Sequence, residues 1–406
     1  PNQYTVVIHL REFLRLAPAR ATGIIFALCG LIFGTWASFI PYVKEKFVLD
    51  EAQLGLLLLG LPVGNLIANP LSVFIISHWG AVRTSLVSIV LMGIMFMLPV
   101  IVPSVSLVAV GLVLAGASFA FTNVAMNTCA SDLEKESGIR LMSASHGMWS
   151  LGAMAGALAS GFGVVGFDWL TGGWIDAHFA YVATIAIATL VITLTIKGDF
   201  QQIHEDWEKN KQPPGSGLSM FKPNKLLWIL ISISLCTFLT EGTMADWSAV
   251  YLREMTAAPE TIIGWGFGLY AFFMAGGRFL GDSLIARHGH MKVLMAGGIL
   301  VSVGLVVIIL SFNPWMALPG FMLTGLGVSV ASPILFAAAA RVPGLPPGAG
   351  LATMNTFGMA AFLIGPVLIG FIAKALDLRI AFMCVAVTST IWVIQTYSIL
   401  RKKIAT

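Results

Sequence analysis

The segment CTFLTEGTMADWSAVY, residues Cys236–Tyr251, carries two carboxylates inside a long apolar stretch. Apolar residues surround it from Leu226 to Leu252, and a run of this length predicts a membrane-spanning helix. An ionised carboxylate in the hydrocarbon core costs at least about 2.5–3.5 kcal/mol, so such acids normally face a water-filled cavity and serve function. We therefore expect Glu241 and Asp246 to bind and release a proton, with Glu241 as the main candidate.

The composition agrees with a protein that resides largely in a bilayer. Of the 406 residues, 57% are hydrophobic and 10% are charged, whereas soluble domains carry about 25% charged residues. The net charge of +4 comes from lysines and arginines in polar connections, and it gives no reason to expect a nucleic-acid partner. All four cysteines lie within or at the end of apolar runs, so a disulfide framework is not expected.

Twelve apolar runs are long enough to cross a membrane, since a spanning helix needs about 20 mostly apolar residues. They cover residues 21–42, 52–77, 83–102, 105–129, 143–165, 178–197, 226–252, 262–286, 291–311, 315–339, 349–373 and 378–400. Residues 166–177 form a longer connection with two tryptophans and two aspartates, which is typical of an external loop. The fold class predicted is an all-α membrane protein with twelve transmembrane helices in two pseudo-symmetric six-helix bundles.

The charged connections indicate orientation and domain boundaries. Most lysines and arginines fall on connections that share a side with the N-terminus, which predicts that both termini are cytoplasmic. The longest polar stretch contains HEDWEKNKQPPGSG, whose charges, prolines and glycines are typical of a flexible linker. We expect an N-terminal bundle at 1–197, a cytoplasmic linker at 198–225 and a C-terminal bundle at 226–406.

The two halves repeat at a constant offset of 209 residues. This shift places YVKE at 42–45 on YLRE at 251–254. It also pairs glycines along five helices: Gly55 with Gly264, Gly80 with Gly289, Gly116 with Gly325, Gly156 with Gly365, and Gly161 with Gly370. Parallel six-helix repeats are the layout of alternating-access carriers, which hold a solute between the halves near mid-membrane.

The end of the eighth span and the connection that follows it read GRFLGDSLIARHGHMK, residues 277–292. Together with twelve spans, the repeat and the charged central linker, this signature resembles the major facilitator superfamily. The resemblance implies alternating access, with a cytoplasmic gate that involves Arg278, Asp282, Arg83 and Arg287. In the first half the matching loop reads SHWGAVR and has Ser77 where the family usually has Asp, which puts the gate pairing of that half in question.

Three shorter segments narrow the resemblance. NVAMN at 123–127, SHGMWSLGAMAGA at 145–157 and EGTMADWSAVYL at 241–252 are similar to a branch of bacterial inner-membrane carriers related to fucose permease. Relatives often have an acid where this chain has Asn123, so no proton site is expected in the first half.

The charged residues within spans each have a second interpretation. Glu241 lies about 15 residues into its helix, where it carries the proton or remains permanently protonated against a neighbouring helix. Asp246 is about 140° further round the helix, so it acts in coupling, as a cap, or as the partner of an external gate. Arg278 and Asp282, spaced i, i+4, form a gate pair or a static ion pair that fixes helix packing.

Polar and aromatic residues in the spans are candidates for binding a solute. Asn123 and Asn127 share one helix face, and His146 and Trp149 share another, so amide, imidazole and indole groups suit a hydroxylated solute. The alternative is interhelical hydrogen bonding, worth about 0.6–2 kcal/mol per bond. His146 would also serve in gating, because imidazole titrates near neutral pH. Trp36 is a further candidate, with buried packing as the alternative, and Asn65, Tyr270 and Asn355 are weaker candidates.

No motif supports catalysis. A Walker-type GxxxxGK[ST] sequence is missing, as is a nucleophile with a suitably spaced base, so neither ATP drive nor an enzyme is expected. No cofactor or metal is implied. The leading hypothesis is a monomeric secondary transporter of the bacterial inner membrane that imports a small polar solute, such as a sugar, with protons. The alternatives are a proton-driven exporter of drugs or metabolites, and a sensor or structural membrane protein that transports nothing.

Overall fold

The computed structural model describes residues 13, 15–137, 141–207, 225–339, 341–342 and 349–404. In these residues every regular element is helical. The first part of the chain contains α1 (Ala17–Lys46), α2 (Glu51–Leu58), α3 (Gly60–Trp79), α4 (Ala81–Met95), α5 (Leu98–Ile101), α6 (Val105–Ser137), α7 (Met142–Thr171) and α8 (Ala177–Trp207). The second part contains α9 (Lys225–Thr256), a short 3₁₀ helix (Glu260–Ile262), α10 (Trp265–His288), α11 (His290–Ile309), α12 (Pro314–Val328), α13 (Ala331–Ala339), α14 (Ala349–Ala375) and α15 (Leu378–Ile404).

Eleven helical segments within the described ranges are long and apolar enough to cross a membrane. They coincide with eleven of the twelve predicted runs. The remaining run, 262–286, forms the helix α10, which is not one of these eleven segments. The described part of α10 is interrupted at Asp282, whose side chain lies outside the described residues. The four cysteines carry free thiols.

The predicted external loop at 166–177 is shorter in the structure than in the prediction. Helix α7 continues through Asp168 and Trp169 to Thr171, and only the next five residues connect it to α8. Gly172 ends the helix at φ 61°, a left-handed conformation that glycine adopts without steric cost. The sequence suggested an earlier end because aromatic and acidic residues interrupt the apolar run, yet they extend the helix as exposed side chains.

The chain forms two compact units. Unit 1 comprises Pro1–Val48, Gly60–Pro214 and Glu260–Gly264, and unit 2 comprises Leu49–Leu59, Gly215–Pro259 and Trp265–Thr406. Each unit therefore includes one short segment whose sequence neighbours belong to the other unit. The predicted linker begins as a continuation of α8 up to Trp207, and its residues 208–224 lie outside the described part of the chain.

The 209-residue offset recurs in the backbone. Val48 and Ala257 are one offset apart, and both have φ 51°, which is rare for residues with a side chain. Gly80 and Gly289, with φ 81° and 80°, precede the equivalent helices α4 and α11. The repeat is thus a property of the fold and not only of the amino-acid pattern.

Helices α1 and α7 of unit 1 pack at the distance that only glycine permits. A Cβ atom added to Gly30 would lie 2.0 Å from the carbonyl oxygen of Trp149, and one added to Gly152 would lie 2.0 Å from that of Ala27. Small residues at such a contact let two membrane helices approach backbone to backbone. This contact fixes the position of the α7 face that carries His146 and Trp149.

We expect Gly152→Ala to lower the thermal unfolding midpoint of the protein in detergent. The added methyl group would overlap backbone atoms, which cannot rotate away, and overpacking of this kind costs about 1–3 kcal/mol. Gly166→Ala is the matched control, because a Cβ atom at this position of the same helix meets nothing within 4 Å. Equal midpoints for the two variants would show that the close approach of α1 and α7 does not contribute to stability.

The first turn of α2 is stabilised by charged and polar contacts within unit 2. Asp50 accepts a hydrogen bond from the backbone N–H of Gln53, and the Gln53 side chain accepts one from the N–H of Asp50, which forms a capping box. The Lys374 ammonium lies 2.9 Å from Asp50 Oδ2, and this contact lowers the pKa of the Asp50 carboxyl below its usual 3.8. The stabilisation from this ion pair is therefore present at neutral pH and is lost only when the pH falls through the lowered pKa of Asp50.

Candidate functional site

Glu241 lies midway along the continuous helix α9, within unit 2. Its Oε1 atom is shielded from solvent and has no hydrogen-bond partner in the described part of the chain. The Ser332 side chain, at the start of α13, lies near the same carboxyl group, and the Arg278 guanidinium on α10 interacts with it electrostatically. Three helices thus bring a carboxyl, a hydroxyl and a cation together.

Tyr270 completes this group, which we call the Glu241 cluster (Glu241, Tyr270, Arg278 and Ser332). Tyr270 is only 2% exposed, and its hydroxyl has no hydrogen-bond partner among the described residues. It interacts electrostatically with both Glu241 and Arg278. Gly325 on α12 presses against the Tyr270 carbonyl, since a Cβ atom there would lie 2.1 Å from that oxygen, and this contact holds Tyr270 in place.

Asp246 lies apart from this cluster, on a different face of α9. Its side chain is partly exposed, and it makes no hydrogen bond or ion pair with the described residues. The next residue, Trp247, is fully buried. The structure therefore separates the two acids that the sequence grouped together, and among the described residues a cation lies beside Glu241 but not beside Asp246.

Two of the predicted gate and binding residues have side chains outside the described set, and two others are exposed. The side chains of Asp282 and Asn355 are outside the described set, so the Arg278–Asp282 pair and the solute contact of Asn355 stay predictions. Arg83, in the first turn of α4, and Arg287, in the last turn of α10, are exposed.

In unit 1, the predicted amide pair lies on one face of α6. The Asn127 Nδ2 atom donates hydrogen bonds to the Asn123 side-chain oxygen at 2.6 Å and to its carbonyl oxygen at 2.8 Å. Both residues are partly exposed, so the pair retains surface on which a solute could form hydrogen bonds. The direct bond between the amides fixes their relative orientation.

Aromatic side chains connect this amide pair to the predicted residues of α7. The His146 ring meets Phe26 edge-on at 5.3 Å, and Trp149 lies 5.9 Å from Phe33. Phe33 in turn lies 5.8 Å from Phe119, which precedes Asn123 by four residues on α6. We missed Phe33, Phe119 and Ser332 from the sequence, and only the i, i+4 spacing of Phe119 from Asn123 could have indicated one of them.

The other two candidates in unit 1, Trp36 and Asn65, have contrasting surroundings. Trp36 is 3% exposed and packs against Phe96 at 6.0 Å, while its Nε1–H has no partner in the described residues. This environment fits the packing alternative at least as well as solute binding. Asn65 is partly exposed on α3.

A cavity of about 430 Å³ lies in unit 2, away from these residues. It is lined by the turn between α10 and α11, by the end of α13 and by α15. Its polar lining is basic and comprises His288, His290, Lys292 and Arg341. None of the predicted solute-binding residues contributes to it, so it is separate from the Glu241 cluster.

Solved structures share this fold at low sequence identity. A mutant of the nucleoside transporter NupG aligns with a TM-score of 0.69 and 13% identity, over 93% of this chain and 98% of that protein. A bacterial homologue of the human lysosomal transporter Spinster aligns with a TM-score of 0.70 and 14% identity, over 94% of this chain and 96% of that one.

Curated relatives match along most of the sequence. An uncharacterised MFS-type transporter of Yersinia pestis is 33% identical over 90% of this chain and 91% of its own length. The uncharacterised transporter y4wD of Sinorhizobium fredii is 32% identical over 91% and 95%, and the membrane protein MosC of Rhizobium meliloti is 30% identical over 90% and 86%. The family model described as Major Facilitator Superfamily matches residues 22–257 and 246–403. The chain therefore belongs to the major facilitator superfamily, whose members are multi-pass membrane transporters and not enzymes.

Proposed function

We propose that this transporter imports a small polar solute, a sugar or a related compound, together with protons. We propose further that it works as a monomer with twelve spans and cytoplasmic termini in the bacterial inner membrane, in the branch related to fucose permease. The observation that carries the proton step is the Glu241 cluster. It combines a carboxyl group, one oxygen of which lacks a described partner, with an arginine and a buried phenol.

The cluster gives each protonation state of Glu241 a different set of interactions. The ionised carboxylate is attracted to Arg278, which offsets part of its desolvation cost. The neutral acid loses that attraction but can donate a hydrogen bond, and the Tyr270 hydroxyl is a nearby oxygen without a described partner. A protein with two conformations responds to a ligand that favours one of them. Binding of a proton to Glu241 would thus shift the transport equilibrium.

The solute site proposed for unit 1 is formed by Asn123, Asn127, His146 and Trp149. The amide pair and the imidazole donate and accept hydrogen bonds, which suits hydroxyl groups. The indole of Trp149, supported by Phe33 and Phe119, provides an apolar surface for a sugar ring. Binding sites for small molecules commonly combine apolar walls with a few polar groups that fix orientation.

Uptake into proteoliposomes tests this proposal. The purified protein is reconstituted and given a pH gradient, acidic outside, with a panel of labelled hexoses, deoxyhexoses and polyols. Accumulation of a sugar that disappears when a protonophore removes the gradient supports proton-coupled import. Ethidium efflux driven by the gradient, with no sugar uptake, would support the exporter instead. Movement of neither probe across the whole panel would count against both functions.

A further inference from the structure

His178, the second residue of α8, lies beside two carboxylates and two aromatic rings. Its Nδ1 atom lies 4.0 Å from Asp176 Oδ1, and its Nε2 atom lies 3.6 Å from Glu260 Oε1. The ring stacks on Tyr42 with a centroid distance of 3.7 Å and an interplanar angle of 16°. Phe39 meets the ring edge-on at 5.0 Å. All five residues belong to unit 1.

The His178 Nε2 atom is buried and has no hydrogen-bond partner in the described residues. A neutral imidazole with its proton on Nδ1 would turn an unprotonated nitrogen toward the Glu260 carboxylate, acceptor against acceptor. A protonated ring would instead place a cation between two carboxylates. Protonation therefore converts the contacts with Asp176 and Glu260 into ion pairs, and deprotonation removes that attraction.

In the described part of the chain, charged and titratable groups near His178 come from the loop before α8, from α1 and from the 3₁₀ helix. Asp176 precedes α8, α1 contributes Tyr42 and Lys46, and the 3₁₀ helix contributes Glu260. Burial raises the pKa of Asp176, but the bonds from the Phe179 N–H and the Tyr42 hydroxyl, with the His178 ring, outweigh it and leave that pKa below 3.8. Asp176 is therefore anionic over the range in which imidazole titrates. The Lys46 ammonium lies 5.8 Å from the Tyr42 ring centre.

Glu260 begins the segment Glu260–Gly264, which belongs to unit 1 although its sequence neighbours on both sides belong to unit 2. The segment packs closely in unit 1, because a Cβ atom on Gly161 would lie 2.1 Å from the Glu260 carbonyl oxygen. At its other end, a Cβ atom on Gly264 would lie 2.3 Å from the Ala157 carbonyl oxygen. These backbone contacts do not depend on pH, whereas the contact between His178 and Glu260 does.

We propose that His178, Asp176 and Glu260 form a proton-binding site that holds the segment Glu260–Gly264 in unit 1. When His178 is protonated, the segment is held by an ion pair as well as by backbone packing. When His178 loses that proton, the ion pair is lost and the segment opens more often. This site is distinct from the Glu241 cluster, and the inference does not depend on the identity of the solute or on proton coupling by Glu241.

Hydrogen exchange tests the site without any substrate. The full-length protein in lipid nanodiscs is exchanged at about pH 5.5 and about pH 8, which bracket the titration of imidazole. Rates are corrected for the intrinsic effect of pH. We expect protection of the peptide covering 260–264 to fall several-fold at the higher pH. In His178→Gln the protection is expected to be low at both pH values, and His288→Gln, a change at an exposed histidine of α10, is expected to retain the fall.

A second variant keeps the test decisive if His178→Gln does not fold. Glu260→Gln removes the negative charge of the other partner, whose side chain is 31% exposed, and because glutamine has nearly the same shape as glutamic acid the substitution leaves no cavity. We expect this variant to lose most of the pH dependence while retaining the unfolding midpoint of the unmodified protein. The same several-fold fall in either correctly folded variant would overturn the proposal.

Discussion

Replacement of Glu241 by glutamine is expected to abolish the accumulation of solute driven by a pH gradient, while solute exchange at equal concentrations continues. Glutamine has nearly the same shape as neutral glutamic acid, so the variant resembles the protonated state, but it cannot release a proton. Accumulation needs that release, whereas exchange needs only binding and reorientation of the loaded carrier. Counterflow and gradient-driven uptake, measured on the same proteoliposomes, check this expectation.

Glu254→Gln is the matched control, because it makes the same chemical change at an exposed position of the same helix. We expect it to accumulate solute as the unmodified protein does. Asp246→Asn separates the two candidate acids, since Asp246 has no cation beside it in the described structure. Undiminished accumulation by Glu241→Gln would refute the proton role of Glu241, and loss of accumulation in Asp246→Asn alone would transfer that role to Asp246.

The sequence predicted the spans well, because the thickness of the bilayer sets the length of an apolar run. Eleven predicted runs coincide with helices that could cross a membrane. The 209-residue repeat could also be read from the sequence, since glycines one offset apart make equivalent backbone contacts. The predicted end of α7 was wrong, because composition does not indicate whether a polar residue ends a helix or continues it as an exposed side chain. The left-handed Gly172, and not Asp168 or Trp169, determines where α7 ends.

The sites were harder to predict than the spans. Glu241 could be identified from the sequence, because an ionised carboxylate in hydrocarbon has a high free-energy cost. The sequence could not place Tyr270 and Ser332 beside Glu241, because they come from different helices. Local spacing pairs Arg278 with Asp282, and the family resemblance implies that this pair acts in the cytoplasmic gate, which stays a prediction. The electrostatic interaction of Arg278 with Glu241 could not be read from the sequence. His178 was not considered, since its partner Glu260 is distant in sequence. Long-range pairing of polar groups requires the tertiary fold.

The electrostatic interaction between Arg278 and Glu241 predicts that loss of Arg278 destabilises the protein. Arg278→Gln is expected to lower the free energy of unfolding by up to about 3–5 kcal/mol, because removal of one partner leaves the other charge uncompensated in a low-dielectric environment. The partial exposure of Arg278 and proton uptake by Glu241 both reduce this cost. Chemical denaturation of the purified protein in detergent measures it. Arg287→Gln, at an exposed position of the same helix, is the control and should change stability by less than about 0.5 kcal/mol.

The double variant Glu241→Gln/Arg278→Gln distinguishes an ion pair from two independent contributions. If the charges stabilise one another, removal of both leaves no uncompensated charge, and the double variant is more stable than the sum of the single changes predicts. The difference is the coupling energy, expected at about 0.5–3 kcal/mol for residues in one network. Strict additivity would show that Arg278 does not stabilise the ionised form of Glu241. In that case its role would lie in the cytoplasmic gate implied by the family resemblance, and proton release from Glu241 would need another source of stabilisation.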